Sequence, residues 1–330
     1  MDLVSVVIPA HNSEKTVGRA VNSLLNQSYP NIDIIIVDDG SLDGTKKECI
    51  RLAQTDNRIR FFSIEHGGVS NARNTGLENV AGSYIAFLDA DDFMEAQMIE
   101  KLLLCMREQV DLVCCGYSVI EAEGKKVFDQ KLCDREWEAD WPSAIERMQE
   151  AKSFNALWNK LFKAEIIRKH GIKMNTEVSM GEDVLFVIDY MMNMEGGVTT
   201  VKDPLYRYTL SANGLQASIG GAEDFEKKMV PLRKLESLYS QKGFQKDGLY
   251  VELMRCIYIA VLESGELEKT MHEIYRSGEF QELCGKKIKG RKKYRFFLEL
   301  LKHRSVTLVK TSVWLFYLMK RIQGRVYDWK

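Results

Sequence analysis

No stretch of the 330-residue chain reads as a membrane span. The best candidate, residues 306–319, falls short of the about 20 residues a spanning helix needs and carries Lys310 inside it. The first ten residues, MDLVSVVIPA, lack the basic flank and long apolar segment of a secretory leader, so no cleavable leader is expected. Proline is scarce, at five residues, and no internal repeat or low-complexity linker interrupts the chain. The seven cysteines include no CxxC pair; their odd number and apolar surroundings read as buried free thiols in a reducing compartment. A His or Cys cluster at metal-ligand spacing, a GxSxG elbow, a Walker A loop and a GxGxxG loop are also missing, which removes the enzyme classes those motifs serve.

What is present is ordinary globular sequence, 45% hydrophobic and 28% charged. The length suits one large α/β domain, residues 1–220, followed by a smaller helical one, residues 221–330, with a soft boundary because no linker marks it. The net charge of −1 hides a division along the chain. Residues 286–330 hold 14 Lys and Arg against Glu299 and Asp328, net +12, which leaves −13 on the remainder. Such asymmetry points to a basic tail facing a polyanion or an anionic membrane surface.

The first 115 residues alternate strand and helix signals in the order of a doubly wound sheet. Val4 to Ile8 is an apolar, β-branched run, and Val17, Ala20, Val21, Leu24 and Leu25 then recur on one helical face. Ile34 to Val37 reads as a strand covered on both sides. A helix capped by Asp43, a third strand over 59–64, a helix over 72–80 stopped by Gly82 and a fourth strand over 84–88 follow. Polar clusters thus fall at the C-terminal ends of the first, second and fourth strands, where open α/β sheets bind ligands.

Asp89, Asp91 and Asp92 come straight after a buried strand, where three carboxylates need a cation or hydrogen-bond donors to neutralise them. Hard oxygen ligands of this kind suit Mg2+ or Mn2+ bridging substrate phosphates; the competing reading is an Asp that caps the helix over 98–106. Asp38 and Asp39 could accept hydrogen bonds from a base or a ribose, or merely serve the Asp-Gly-Ser turn. Glu182 and Asp183 could act as acids favoured by a helix N-terminus or as functional carboxylates. His11 and His66 read as ordinary loop residues.

The segments VSVVIPAHNSE, IIIVDDGSLDGT, GGVSNARNTGLENVAGSYIAFLDADD and GEDVLF, in this order, resemble glycosyltransferase family 2 over roughly residues 4–210. The resemblance implies a GT-A fold, a Rossmann-like mixed and mostly parallel sheet flanked by helices, and an inverting, metal-dependent, hexosyltransferase-like enzyme. Pro9, Ala10 and Asn12 would line the nucleotide pocket, and Asp39, with Asp38, would hold the base. Asp89 would lie near the ribose and donor sugar, and Asn71 and Arg73 would frame the donor. Asp91 would complete a DxD motif as chief protein ligand of Mn2+ or Mg2+. The resemblance assigns the catalytic base to Asp183, beside Glu182, and puts Trp158, Asn159 and Lys160 under the acceptor. Tyr206 and Tyr208 resemble the family's aromatic pair, but Thr209 replaces the basic residue that often follows it, leaving the diphosphate without that contact.

The donor implied is a nucleotide-sugar, with a UDP-sugar favoured, and the acceptor a glycan or lipid-linked molecule in cell-surface polysaccharide synthesis. Two rivals share the donor site: a polyprenyl-phosphate glycosyltransferase and a non-catalytic nucleotide-sugar-binding scaffold. In KKIKGRKKYRFF, from Lys286, seven basic residues stand beside three aromatics, and Trp314, Phe316 and Tyr317 follow. The expectation is a cytoplasmic protein held peripherally on the inner face of the cell membrane through residues 286–330. The competing reading is a helical cap packed on the catalytic domain, and no nucleic-acid partner is expected.

Overall fold

The computed structural model describes residues 1–122, 124–132, 135–138, 145, 148–149, 153–178, 181–210, 225–243, 247–263, 266–285 and 292–312. The boundary expected near residue 220, and residues 286–291 and 313–330 of the basic tail, lie outside them. The chain divides into two compact units, Met1–Gly214 and Leu215–Lys330.

In the first unit β1 (Val4–Ala10) is buried along its whole length because both of its faces are covered. Val4, Val6 and Ile8 join Val17, Ala20, Val21 and Leu24 of α1 (Val17–Leu25) in one apolar cluster. Side chains alternate along a strand, so Val7 points the other way and meets Gly76 of α3 (Val69–Glu78). β2 (Ile32–Asp39) is likewise buried throughout, and the continuous apolar runs of both strands follow from this two-sided cover. Each fully buried Val, Leu or Ile side chain in such a layer contributes roughly 1.5–3 kcal/mol.

β1 pairs in parallel with β2 and with β4 (Tyr84–Phe87), and β2 with β3 (Ile59–Ile64), as the alternating pattern predicts. Beyond β4 the sheet turns mixed. β9 (Lys160–Lys163) runs antiparallel between β4 and β6 (Val110–Ile120), and the long β10 (Gly197–Thr209) lies parallel to β6. β5 (Phe93–Met94) closes the order β3-β2-β1-β4-β9-β6-β10-β5, with β7 (Lys126–Gln130) on β6 and β8 (Arg135–Glu138) on β10. Phe87 of β4 and Phe162 of β9 meet Phe186 of α6 (Glu182–Asn193) edge to face. α2 (Thr45–Ala53), α4 (Met98–Cys105) and α5 (Ala164–His170) complete the flanking layers.

Two boundaries differ from the sequence expectation. α3 spans Val69–Glu78 rather than 72–80, so Gly82 is not its stop. Gly82 has a packing role instead: a Cβ there would lie 2.5 Å from the Leu3 carbonyl and 2.7 Å from the Ser5 amide. Asp43 caps α2 from one residue further out than expected, its Oδ1 accepting from the Thr45 amide at 3.0 Å. Of the described cysteines, Cys49, Cys114 and Cys115 are buried and Cys105, Cys256 and Cys284 half-buried.

The described part of the second unit is helical: α7 (Phe225–Lys242), α8 (Asp247–Glu263), α9 (Leu267–Arg276), α10 (Gly278–Cys284) and α11 (Lys292–Lys302). Its own core gathers Met229, Leu253, Ile257, Val261, Ile274, Phe280 and Leu301. Among the described residues no helix is long and apolar enough to cross a membrane.

The contact between α3 and β1 tests this packing. A Cβ on Gly76 would overlap Val7 Cγ1, so Gly76→Ala is expected to lower stability by about 1–3 kcal/mol. In the Val7→Ala background Gly76→Ala should cost less than it does in the wild type, so a double-mutant cycle in urea checks the contact. Strict additivity would contradict it.

Candidate active site

The parallel register of β1, β2 and β4 sets residues 9–12, 38–41 and 88–92 along one edge of the sheet. Pro9 stands opposite Val37 and Ala10 opposite Asp38, and all four are buried. They form the floor of that edge. Asn12 follows in the left-handed region, at φ 49°, and ties two loops together: its amide donates to Ser41 Oγ at 3.0 Å and its Oδ1 accepts from Leu42 at 2.9 Å. Asp38, 1% exposed, accepts from the Ser41 amide and the Ser63 hydroxyl, each at 3.3 Å.

Asp39 is also buried, and its two carboxylate oxygens accept from the amides of Gly67 and Gly68 at 2.8 and 2.9 Å. The carboxylate expected to hold a base therefore holds the loop between β3 and α3. Asn71 of α3 is half-buried, and its Nδ2 donates to the Gly67 carbonyl of the same loop at 2.5 Å.

Arg73 of α3 organises the deeper part of the site. Its guanidinium is 4% exposed and meets three carboxylates: Asp89 on Nη2 at 2.9 Å, and Asp183 at 2.5 Å and Glu182 at 3.4 Å on Nη1. One positive charge thus faces three negative ones, a cluster with two uncompensated charges. Burial alone would lower the Arg73 pKa, but the carboxylates outweigh it and hold the group more firmly protonated than usual. Asp183 responds in the opposite sense. Desolvation pushes its pKa up to about 7, Arg73 pulls against that, and Glu182 and Asp89 add to the rise. Its side chain remains 24% exposed, enough to be reached from outside.

The acidic triplet separates into three places. Asp89 reaches Arg73, as above. Asp92, 1% exposed, accepts from the Tyr206 hydroxyl at 2.7 Å and the Thr209 amide at 2.7 Å, so it anchors β10. Of the two ways of neutralising the triplet, a cation or hydrogen-bond donors, Asp92 shows the second: both of its oxygens are engaged inside the protein. Asp91 is different. Among the described residues no side chain donates to its carboxylate, and burial first, then Asp89, raises its pKa. A half-buried carboxylate beside Asp89 that no side chain among the described residues donates to is a fitting ligand for a hard divalent cation such as Mg2+ or Mn2+.

Arg19 of α1 was not singled out from sequence. Its Nη2 donates to the Asp91 carbonyl and to Thr209 Oγ1 at 3.0 Å, and its Cζ lies 5.1 Å from the Phe93 ring centroid. A guanidinium thus stands beside Thr209, brought there by a residue 190 positions away. No local signal marks it.

Trp158 stacks on Tyr206, at 4.4 Å between centroids, and on Tyr208 at 5.9 Å, while Tyr117 meets it edge-on at 5.0 Å. Lys160 is fully buried; its ammonium donates to the carbonyls of Ser153 and Ala156 and to Asn159 Oδ1. With its three donors engaged it holds the segment that carries Trp158, which is a positioning place and not a surface in the cleft. Burial lowers its pKa. Asn159 completes the tie by donating to the Cys115 carbonyl at 2.8 Å.

The model of a protein family described as Glycosyl transferase family 2 matches residues 5–171. The putative glycosyltransferase EpsH of Bacillus subtilis (strain 168) is 30% identical over 214 residues, 64% of this chain and 62% of EpsH. Glycosyltransferase GlyA of Streptococcus pneumoniae serotype 4 (strain ATCC BAA-334 / TIGR4) is 36% identical over 177 residues, 51% of this chain and 25% of GlyA. The chain thus spans less than two thirds of either relative. Among solved structures, S. aureus TarS in complex with UDP superposes with a TM-score of 0.69 at 18% identity, covering 99% of this chain and 93% of that one. The fold is accordingly of the GT-A type, and the chain belongs to glycosyl transferase family 2.

Proposed function

We propose that the chain is an inverting glycosyltransferase that moves a sugar from a UDP-sugar to a hydroxyl of a glycan or lipid-linked acceptor in cell-surface polysaccharide synthesis. The observation that carries this reading is the Arg73 guanidinium, held between Asp89 on one prong and Asp183 on the other. The relatives are named glycosyltransferases, and UDP is the ligand of the TarS complex, which supports a nucleotide-sugar donor.

In this mechanism Asp183 takes the proton of the acceptor hydroxyl as that oxygen attacks the sugar carbon from the face opposite the leaving diphosphate. A single displacement of this kind inverts the anomeric centre. A base near neutrality suits the task, since it is ionised in part and still basic enough to accept the proton. Arg73 aligns Asp183 and keeps its charged form accessible. On the donor side Asp89, fixed by the same guanidinium, faces the ribose and sugar, and Pro9, Ala10, Asn12, Asp38 and Asp39 shape the nucleotide end. A divalent cation held through Asp91, Mn2+ or Mg2+, would offset the charge that develops on the departing diphosphate. Arg19 supports that end by holding the Asp91 carbonyl. Trp158 and Tyr208 offer aromatic faces to the acceptor, with Lys160 and Glu182 as positioning residues.

Asp183→Asn is expected to lower kcat by about 10²–10⁴-fold with UDP affinity unchanged. Near-full turnover would contradict the base assignment and favour an acceptor that is already ionised, such as a polyprenyl phosphate. Asp91→Asn is expected to weaken UDP binding and to remove its sensitivity to EDTA; UDP binding indifferent to both would exclude a cation at Asp91.

The pH dependence follows from the raised pKa of Asp183. The base works deprotonated, so kcat/KM should rise with pH through a midpoint near 7 and fall tenfold per unit below it. A flat profile down to pH 5 would contradict it.

We further propose that residues 286–330, net +12, meet an anionic surface on the cytoplasmic side of the cell membrane. Each basic residue near such a surface contributes about 1 kcal/mol. The full chain should co-sediment with phosphatidylglycerol vesicles, be released by high salt and ignore phosphatidylcholine vesicles; equal binding to both lipids would contradict an electrostatic attachment.

A further inference from the structure

His11 and His66 take no part in the transfer proposed above, yet they stack on each other with ring centroids 4.4 Å apart and planes 27° apart. Both converge on Asp39. His11 Nδ1 lies 2.7 Å from the Asp39 carbonyl oxygen; His66 Nδ1 lies 3.1 Å from the same oxygen and 3.0 Å from Asp39 Oδ2. One ligand-capable atom from each of the three residues lies within 4.8 Å of the other two. We propose that His11, Asp39 and His66 form a binding site for a transition-metal dication of the Zn2+ class, separate from the hard cation proposed at Asp91.

The donor set decides the class of ion. Two imidazoles and a carboxylate suit Zn2+, Co2+ or Ni2+, whereas Mg2+ prefers oxygen ligands alone. Zn–N and Zn–O bonds of about 2.0–2.1 Å at tetrahedral angles place ligand atoms about 3.3 Å apart. The spread of at most 4.8 Å therefore needs a closure of about 1.5 Å or less. The two histidines are exposed and free to rotate by that much, while Asp39 is buried and fixed by the Gly67 and Gly68 amides.

The surroundings are those of a prepared metal site. An imidazole whose Nδ1–H donates to a carbonyl keeps Nε2 unprotonated, the form that binds a metal, and a backbone carbonyl is a usual partner for such a ring. Asn12 Nδ2 lies 3.0 Å from His11 Nε2, so this exposed carboxamide must turn aside for that nitrogen to take a metal. The second ring reaches Asp39 only because residue 40 has no side chain: Gly40 sits at φ +60°, and a Cβ there would lie 2.7 Å from the His66 amide.

An ion in this place would stand at the ends of β1 and β2 next to Pro9, Ala10 and Asp38. It would then exclude the base of a nucleotide, so Zn2+ and UDP should compete. The competition rests on the nucleotide reading above; the metal site does not.

The test titrates Zn2+ calorimetrically into the full chain without Mg2+, with Co2+ absorbance as a second readout and the thermal midpoint of each variant as a check on folding. The expected result is one site that weakens about tenfold or more in His11→Asn and in His66→Asn, persists in Asp91→Asn and is not displaced by Mg2+. Equal Zn2+ affinity in wild type and His66→Asn, or loss in Asp91→Asn instead, would overturn the site. If the histidine dependence holds but saturating UDP leaves Zn2+ affinity unchanged, the site stands and the nucleotide placement falls.

Discussion

One guanidinium, that of Arg73, sets the geometry and charge of the whole site. It is buried, and burying a charge is unfavourable unless opposite charges surround it. Three carboxylates do so, from the end of β4 and the start of α6. Because they outnumber it, the cluster keeps a negative excess that favours protonation of one member, and desolvation selects Asp183 for that role. The same imbalance raises the affinity of the neighbourhood for a cation, and Asp91 is the carboxylate left with no side-chain donor among the described residues. The proposed base and the proposed cation site thus draw on one electrostatic arrangement.

The rest of the edge is built by polar groups that bind the protein to itself. Asn12, Asp38, Asp39, Asn71, Asp92 and Lys160 all have their donors or acceptors engaged on neighbouring loops or strands. Loops that connect strands to helices carry unpaired backbone amides, and carboxylates and carboxamides at the strand ends satisfy them. Several residues expected to touch a ligand therefore act first as ties, Lys160 and Asp92 most clearly.

The sequence pattern carries burial and local caps well, and distant partners poorly. The apolar runs of β1 and β2, the helical spacing of α1 and the position of Asp89 after β4 could all be read directly, since each depends on neighbours a few residues away. Arg19 could not, because its partners Asp91 and Thr209 are 72 and 190 residues distant. The same holds for Asp92, pinned by Tyr206 and Thr209, 114 and 117 residues on. His11 and His66 looked like loop residues since nothing local shows that Gly40 lets one ring close on the other. The family resemblance brought Asp183 to notice, but its raised pKa arises from desolvation, with Glu182 and Asp89 adding to the rise and Arg73 opposing it, all groups that meet only in space.

The account turns on Arg73 restraining a carboxylate that desolvation would otherwise raise further. The most direct measurement is the titration of the Asp183 carboxyl by 13C NMR in Asp-labelled protein, assigned by its loss in the Asn variant and repeated in Arg73→Gln. A midpoint near 7 in the wild type, moving to higher pH when the guanidinium is removed, is the predicted result. Titration near the ordinary value of about 3.9, or a midpoint that does not move, would contradict it.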